Sequence, residues 1–146
     1  MFLLAGTSPS QAMMVEIPLE QLTREAELIV LGRVDSLEVK DKFNLASITL
    51  EKIIKGKFDR QTVEVRFIGG RIGSQRVYIE DSPDYQAGQR ALIFLKKARY
   101  PQGVYYRTVG MFHGKYLIKG ETVVRNKLSV KVFMQKISDI LHNGRR

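Results

Sequence analysis

Apolar and polar positions change period several times along the chain, and each change marks an element. In Pro18-Leu-Glu-Gln-Leu-Thr-Arg-Glu-Ala-Glu27, Leu19, Leu22 and Ala26 recur at helical spacing and Pro18 suits a first turn, which predicts a short helix. From Leu28 the pattern turns β-branched and apolar through Val34, predicting a strand to about Lys40 with Gly32 at a bulge or bend. After a polar connection from Asp41 to Asn44, Ala46, Ile48 and Leu50 alternate with Ser47, Thr49 and Glu51. Past the Lys55-Gly56-Lys57 break, Val63, Val65 and Phe67 alternate with Thr62, Glu64 and Arg66. Both stretches read as strands of period two. Arg90-Ala-Leu-Ile-Phe-Leu-Lys96 is apolar on both faces, as a central strand is.

The remaining segments are shorter. A strand is predicted at Arg76 to Glu80, a turn at Asp81 to Asp84, another turn at Tyr100 to Gly103, and strands at Val104 to Val109, Phe112 to Ile118 and Glu121 to Arg125. From Val130 the period becomes helical: Val130, Phe133, Ile137, Ile140 and Leu141 form one stripe, Ser129 is a plausible N-cap and Asn143-Gly144 a stop. The fold class is therefore mainly β: a small OB-like, closed or partly open antiparallel barrel with a short N-terminal helix and an amphipathic C-terminal helix. A β-sandwich is the structural alternative. Residues 13–146 read as one domain. Residues 1–12 read as the remnant of an export signal, from the apolar run Phe2-Leu-Leu-Ala5 and the small-x-small Ser10-Gln-Ala12, or as a disordered N-terminus.

Composition adds a bias of charge. Lysine and arginine number 24 against 15 aspartates and glutamates, a formal charge of +9 that favours anionic partners or surfaces. The chain has no cysteine, which removes disulfides, thiolate metal sites and cysteine nucleophiles from consideration. His113 and His142 lack metal-ligand spacing, and no Gly-x-Ser-x-Gly or comparable signature offers a nucleophile. The expectation is a non-enzymatic protein with no cofactor and no metal. No stretch reaches the 18 consecutive apolar residues of a spanning helix.

The order Leu22-Thr-Arg-Glu-Ala-Glu-Leu-Ile-Val-Leu-Gly-Arg-Val34, Ile54-Lys-Gly56, Phe67-Ile-Gly-Gly70 and Gly88-Gln-Arg-Ala-Leu-Ile-Phe-Leu95 resembles a group of exported prokaryotic domains similar to the netrin and metalloproteinase-inhibitor type of OB-fold. The resemblance covers about residues 14–118 and implies a fold and export. It implies no activity, since its motifs are glycines and core aliphatics. Tissue metalloproteinase inhibitors act through an N-terminal cysteine on the enzyme's zinc, and that mechanism has no counterpart in a chain without cysteine.

Candidate binding residues follow from glycine and arginine together. Glycines at Gly69, Gly70 and Gly73 would let backbone amides approach an anion that Arg66, Arg71 and Arg76 neutralise, although the spacing fits no phosphate-loop consensus and a hairpin or bulge is the bland alternative. Arg107 and Lys115 lie among Tyr105, Tyr106, Phe112 and Tyr116, a mixture of basic and aromatic residues suited to polyanions. Faces matter here, because Tyr105 and Arg107 share one side of a strand and Tyr106 the other, so one tyrosine should be core. The expected function is an exported binding or interaction domain for a protein or an anionic envelope component; the alternative is a cytoplasmic, OB-type single-stranded nucleic-acid binder.

Overall fold

A computed structural model describes residues 17–40, 42–68, 70–72, 75–77 and 85–143. Helix α1 spans Leu19–Glu25, and the strands are β1 Leu28–Val39, β2 Asn44–Lys55, β3 Thr62–Phe67, β4 Gly70–Ile72, β5 Gln75–Val77, β6 Arg90–Tyr100, β7 Gly103–Thr108, β8 Lys115–Lys119 and β9 Thr122–Val123. A 3₁₀ turn occupies Met111–Gly114 and helix α2 spans Val130–Asn143.

Strands β1, β2, β3, β7 and β6 are joined in that order, and β6 pairs back onto β1, so five strands form a ring. Strands β8 and β9 extend the sheet from β6, while β4 and β5 form a separate two-stranded sheet. Four of the ring's pairings are antiparallel. The fifth, between β3 and β7, is parallel and only two residue pairs long, Val65 with Tyr106 and Arg66 with Arg107. The mainly β plan with a short helix near the N-terminus and a C-terminal helix thus holds, with one parallel seam in place of a wholly antiparallel ring.

Burial explains the arrangement. Strand β6 is covered on both faces, as its continuous apolar run implies. Ala91, Ile93 and Leu95 join Leu28, Val30, Ile48, Val63 and Val65 inside the ring. Leu92 and Phe94 face the other way into a second cluster with Ile29, Leu22, Tyr116, Phe133 and Ile137, so the two helices cover the outer face of β1, β6 and β8. The α2 stripe is therefore buried against the sheet. Ser129 caps the helix, its hydroxyl oxygen accepting from the Val132 amide at 3.1 Å. Gly32 stands at a register shift of the β1–β2 ladder. A Cβ there would lie 2.6 Å from the Thr49 carbonyl oxygen, which is why the bulge takes glycine.

Two segments differ from the sequence pattern. The strand expected from Phe112 begins only at Lys115, because Gly110 (φ 66°) and Met111 (φ 56°) turn left-handed and start a 3₁₀ turn. The strand expected over Glu121 to Arg125 is reduced to Thr122–Val123 before the chain turns into α2. The predicted stretch at Arg76 to Glu80 is described only as far as Val77, within β5, and the Asp81 to Asp84 turn lies outside the described residues.

Candidate functional site

The parallel seam brings basic side chains into one row. Val63, Val65 and Phe67 point into the ring, so Thr62, Glu64 and Arg66 point outward. Tyr106 packs against the interior, so Tyr105 and Arg107 are outward, and Leu95 is inward, which turns Lys96 outward. Register then sets Lys96 of β6 opposite Arg107 of β7, and Arg107 opposite Arg66 of β3. Adjacent strands lie about 4.8 Å apart, so three cations stand as immediate neighbours. Among the described residues the ion pairs are Arg24 with Glu20, Lys40 with Glu38 and Arg90 with Glu51, and none involves this row. Like charges side by side repel one another, and an anion laid across the row would relieve that repulsion.

Aromatic rings frame the row. The Arg66 guanidinium carbon lies 4.2 Å from the centre of the Phe43 ring and 3.9 Å from that of Tyr100. Tyr105 is 5.4 Å from Phe43 and 6.4 Å from Tyr100. Phe43, only 3% exposed, is the floor of this group, while Tyr100 and Tyr105 are half-buried. The contacts fix the guanidinium in place by cation–π attraction. Its Nη1 is buried with no hydrogen-bond acceptor among the described residues, so the cation–π contacts of the guanidinium offset part of that cost.

The other sequence candidates fall elsewhere. Lys115 is buried, its ammonium donating to Gln89 Oε1 at 2.7 Å and standing 4.5 Å from the centre of the Tyr85 ring, so it is spent inside the protein. Gly70 begins β4, and the β4–β5 hairpin sets Arg71 opposite Arg76, in a sheet separate from the ring. Gly69 and Gly73 lie outside the described residues. Of the candidates, Arg66 and Arg107 are register neighbours on the ring, and Arg71 and Arg76 are register partners in the separate sheet. Lys96, Phe43 and Tyr100 were not singled out by sequence, since Lys96 only closed an apolar run and Tyr100 only opened a turn; their meeting depends on strand register.

A second basic region, around Arg33 and Arg90, is internally satisfied. Arg90 pairs with Glu51 at 2.9 Å and also donates to the Gly120 carbonyl, and Arg33 donates to the Gly88 carbonyl. It ties β2, β6 and the β8–β9 turn together. Among the described residues no group of three or more His, Asp or Glu side chains could hold a metal ion. His113 stacks on Phe112 with ring centres 4.1 Å apart, and His142 Nδ1 lies 3.1 Å from the Ser138 carbonyl. No helix among the described residues is long and apolar enough to cross a membrane. The chain matches no family model and no curated protein.

Proposed function

We propose that this chain is a non-enzymatic binding domain, exported to the cell envelope or beyond, that contacts an anionic partner through the outward face of β3, β7 and β6. One observation carries the reading: Lys96, Arg107 and Arg66 are adjacent in register and without a carboxylate partner among the described residues. An ordinary solvated surface intersperses the two signs, whereas a row of one sign concentrates potential for a ligand of the other. Export is supported by the apolar Phe2-Leu-Leu-Ala5 run and the Ser10-Gln-Ala12 pattern. Fractionation of native cells, with sequencing of the mature N-terminus, tests it; recovery in the cytoplasm with residues 1–12 intact removes the envelope from the proposal.

The half-buried Tyr100 and Tyr105 beside the row support a second reading, a single-stranded nucleic acid whose bases stack on them. Two probes separate the readings: a sulfated dextran and a short single-stranded oligonucleotide of matched charge. For the anionic-polymer reading, both bind in a salt-dependent manner, Arg107→Glu weakens both about tenfold, and Tyr105→Ala leaves them nearly equal. For the nucleic-acid reading, Tyr105→Ala costs the oligonucleotide alone about 1–3 kcal/mol. Affinity for both probes unaltered by Arg107→Glu removes this face as a binding surface.

A further inference from the structure

The same parallel seam that gathers the cations also leaves an opening. Strand β7 pairs with β6 along its whole length, from Gly103 opposite Tyr100 to Thr108 opposite Leu95. Strand β3 pairs with β2 from Thr62 to Phe67. Between β3 and β7, however, pairing begins only at Val65 and Tyr106. On the sides that face each other, Thr62 and Glu64 of β3 and Val104 of β7 therefore lie ahead of the seam, since Val63, Gly103 and Tyr105 turn their backbone groups towards β2 and β6. A cleft of about 560 Å³ lies there, reaching back to Phe58 and Lys97. Volumes of this order are typical of ligand sites.

We propose that this cleft docks an extended peptide segment of a partner protein, which enters as a strand antiparallel to both β3 and β7. Three features single out a polypeptide. Facing strand edges present N–H and C=O groups alternately at strand spacing, and another backbone is the ligand that matches both the alternation and the period. Because β3 and β7 run parallel, one incoming strand can be antiparallel to both at once and would add two antiparallel edges ahead of the short parallel seam, which stays in place.

The third feature is the lining, which is mixed in sign, Lys57, Arg60 and Lys97 against Asp59 and Glu64, so a polyanion would meet repulsion as well as attraction. Alternate positions of the entering strand would meet two different surfaces. Inward residues face Val63, Tyr106 and Val104, which is 51% exposed, and outward residues face Thr62, Glu64 and Tyr105. A period-two segment, apolar inward and polar outward, fits. Uncovered strand edges are a liability that proteins normally blunt or cover, and docking covers these.

The test uses the full chain and a capped peptide, acetyl-Thr-Val-Lys-Val-Thr-amide, with the same peptide N-methylated at both valines and at the lysine, which blocks both of its edges, as control. Amide exchange followed by NMR is expected to slow about tenfold at Thr62, Glu64 and Val104, whose amides face the cleft, with the first peptide and not with the control. Val104→Lys is expected to weaken the effect by placing a charge against the apolar positions, while Arg107→Glu, which targets the basic row, leaves it intact. No slowing up to the peptide's solubility limit overturns the proposal. So does equal slowing by the N-methylated peptide, which would mean side-chain contact without strand addition, and so does protection of these amides by the sulfated dextran but not by the peptide.

Discussion

Tyr85 shows how much one side chain can carry in this protein. It is fully buried, its hydroxyl oxygen lies 2.6 Å from Thr108 Oγ1, and its ring meets Phe67 edge-on at 5.2 Å. Burial pushes the phenol pKa far above its ordinary value of 10.0, with the hydrogen bond to Thr108 pulling weakly the other way. The folded form therefore keeps its proton where the unfolded chain loses one. Stability owed to this group is intact below about pH 10 and falls as pH rises above it towards the folded pKa. Tyr85→Phe is expected to cost about 1–2 kcal/mol near neutrality, because the Thr108 hydroxyl is left buried without its partner. In urea unfolding, the gap between wild type and variant should narrow at about pH 11; a gap that stays constant would mean the phenol is not held neutral. The neighbouring Lys115 shows why single residues mislead. It is expected from sequence to meet polyanions, yet β8 lies between two cores, so Tyr116 and Ile118 meet the helices while Lys115, on the alternate side, turns towards Tyr85 and Gln89. Period two separates two faces; it does not say that one of them is wet.

At the scale of elements, legibility followed the range of the forces involved. Helix α2 was readable to its cap, because stripe and cap are both local. Its contributions should divide cleanly: Ser129→Ala is expected to cost about 1 kcal/mol and Phe133→Ala about 3–5 kcal/mol, measured by chemical denaturation. Near-equal losses would mean that α2 is held by its end and not by its face. Strand β3 was readable to the residue because its inner positions, Val63, Val65 and Phe67, are wholly buried while the alternating ones are not. The two-pair seam between β3 and β7 was not, since it joins segments about forty residues apart and no local period encodes which strands become neighbours. Nor was the 3₁₀ turn at Met111, where a left-handed backbone at a bulky side chain overrode an acceptable strand pattern.

For the whole molecule the question is whether its charge of +9 acts as a diffuse field or through a place. A diffuse field steers encounter and fades with salt; a place also holds the partner after encounter. Two double variants with the same net charge separate these. Lys96→Glu with Arg107→Glu alters neighbours in register on the ring, whereas Lys131→Glu with Lys136→Glu alters exposed positions of α2. Both should slow association with the sulfated dextran at low salt, because both reduce the same total attraction. Only the first should raise the dissociation rate, with an overall loss of affinity of more than about tenfold against less than about threefold for the second. Equal losses would mean that net charge alone is read and that the row has no privileged role. Unequal losses would tie the basic composition visible in the sequence to a geometry that arises only when β3 and β7 meet.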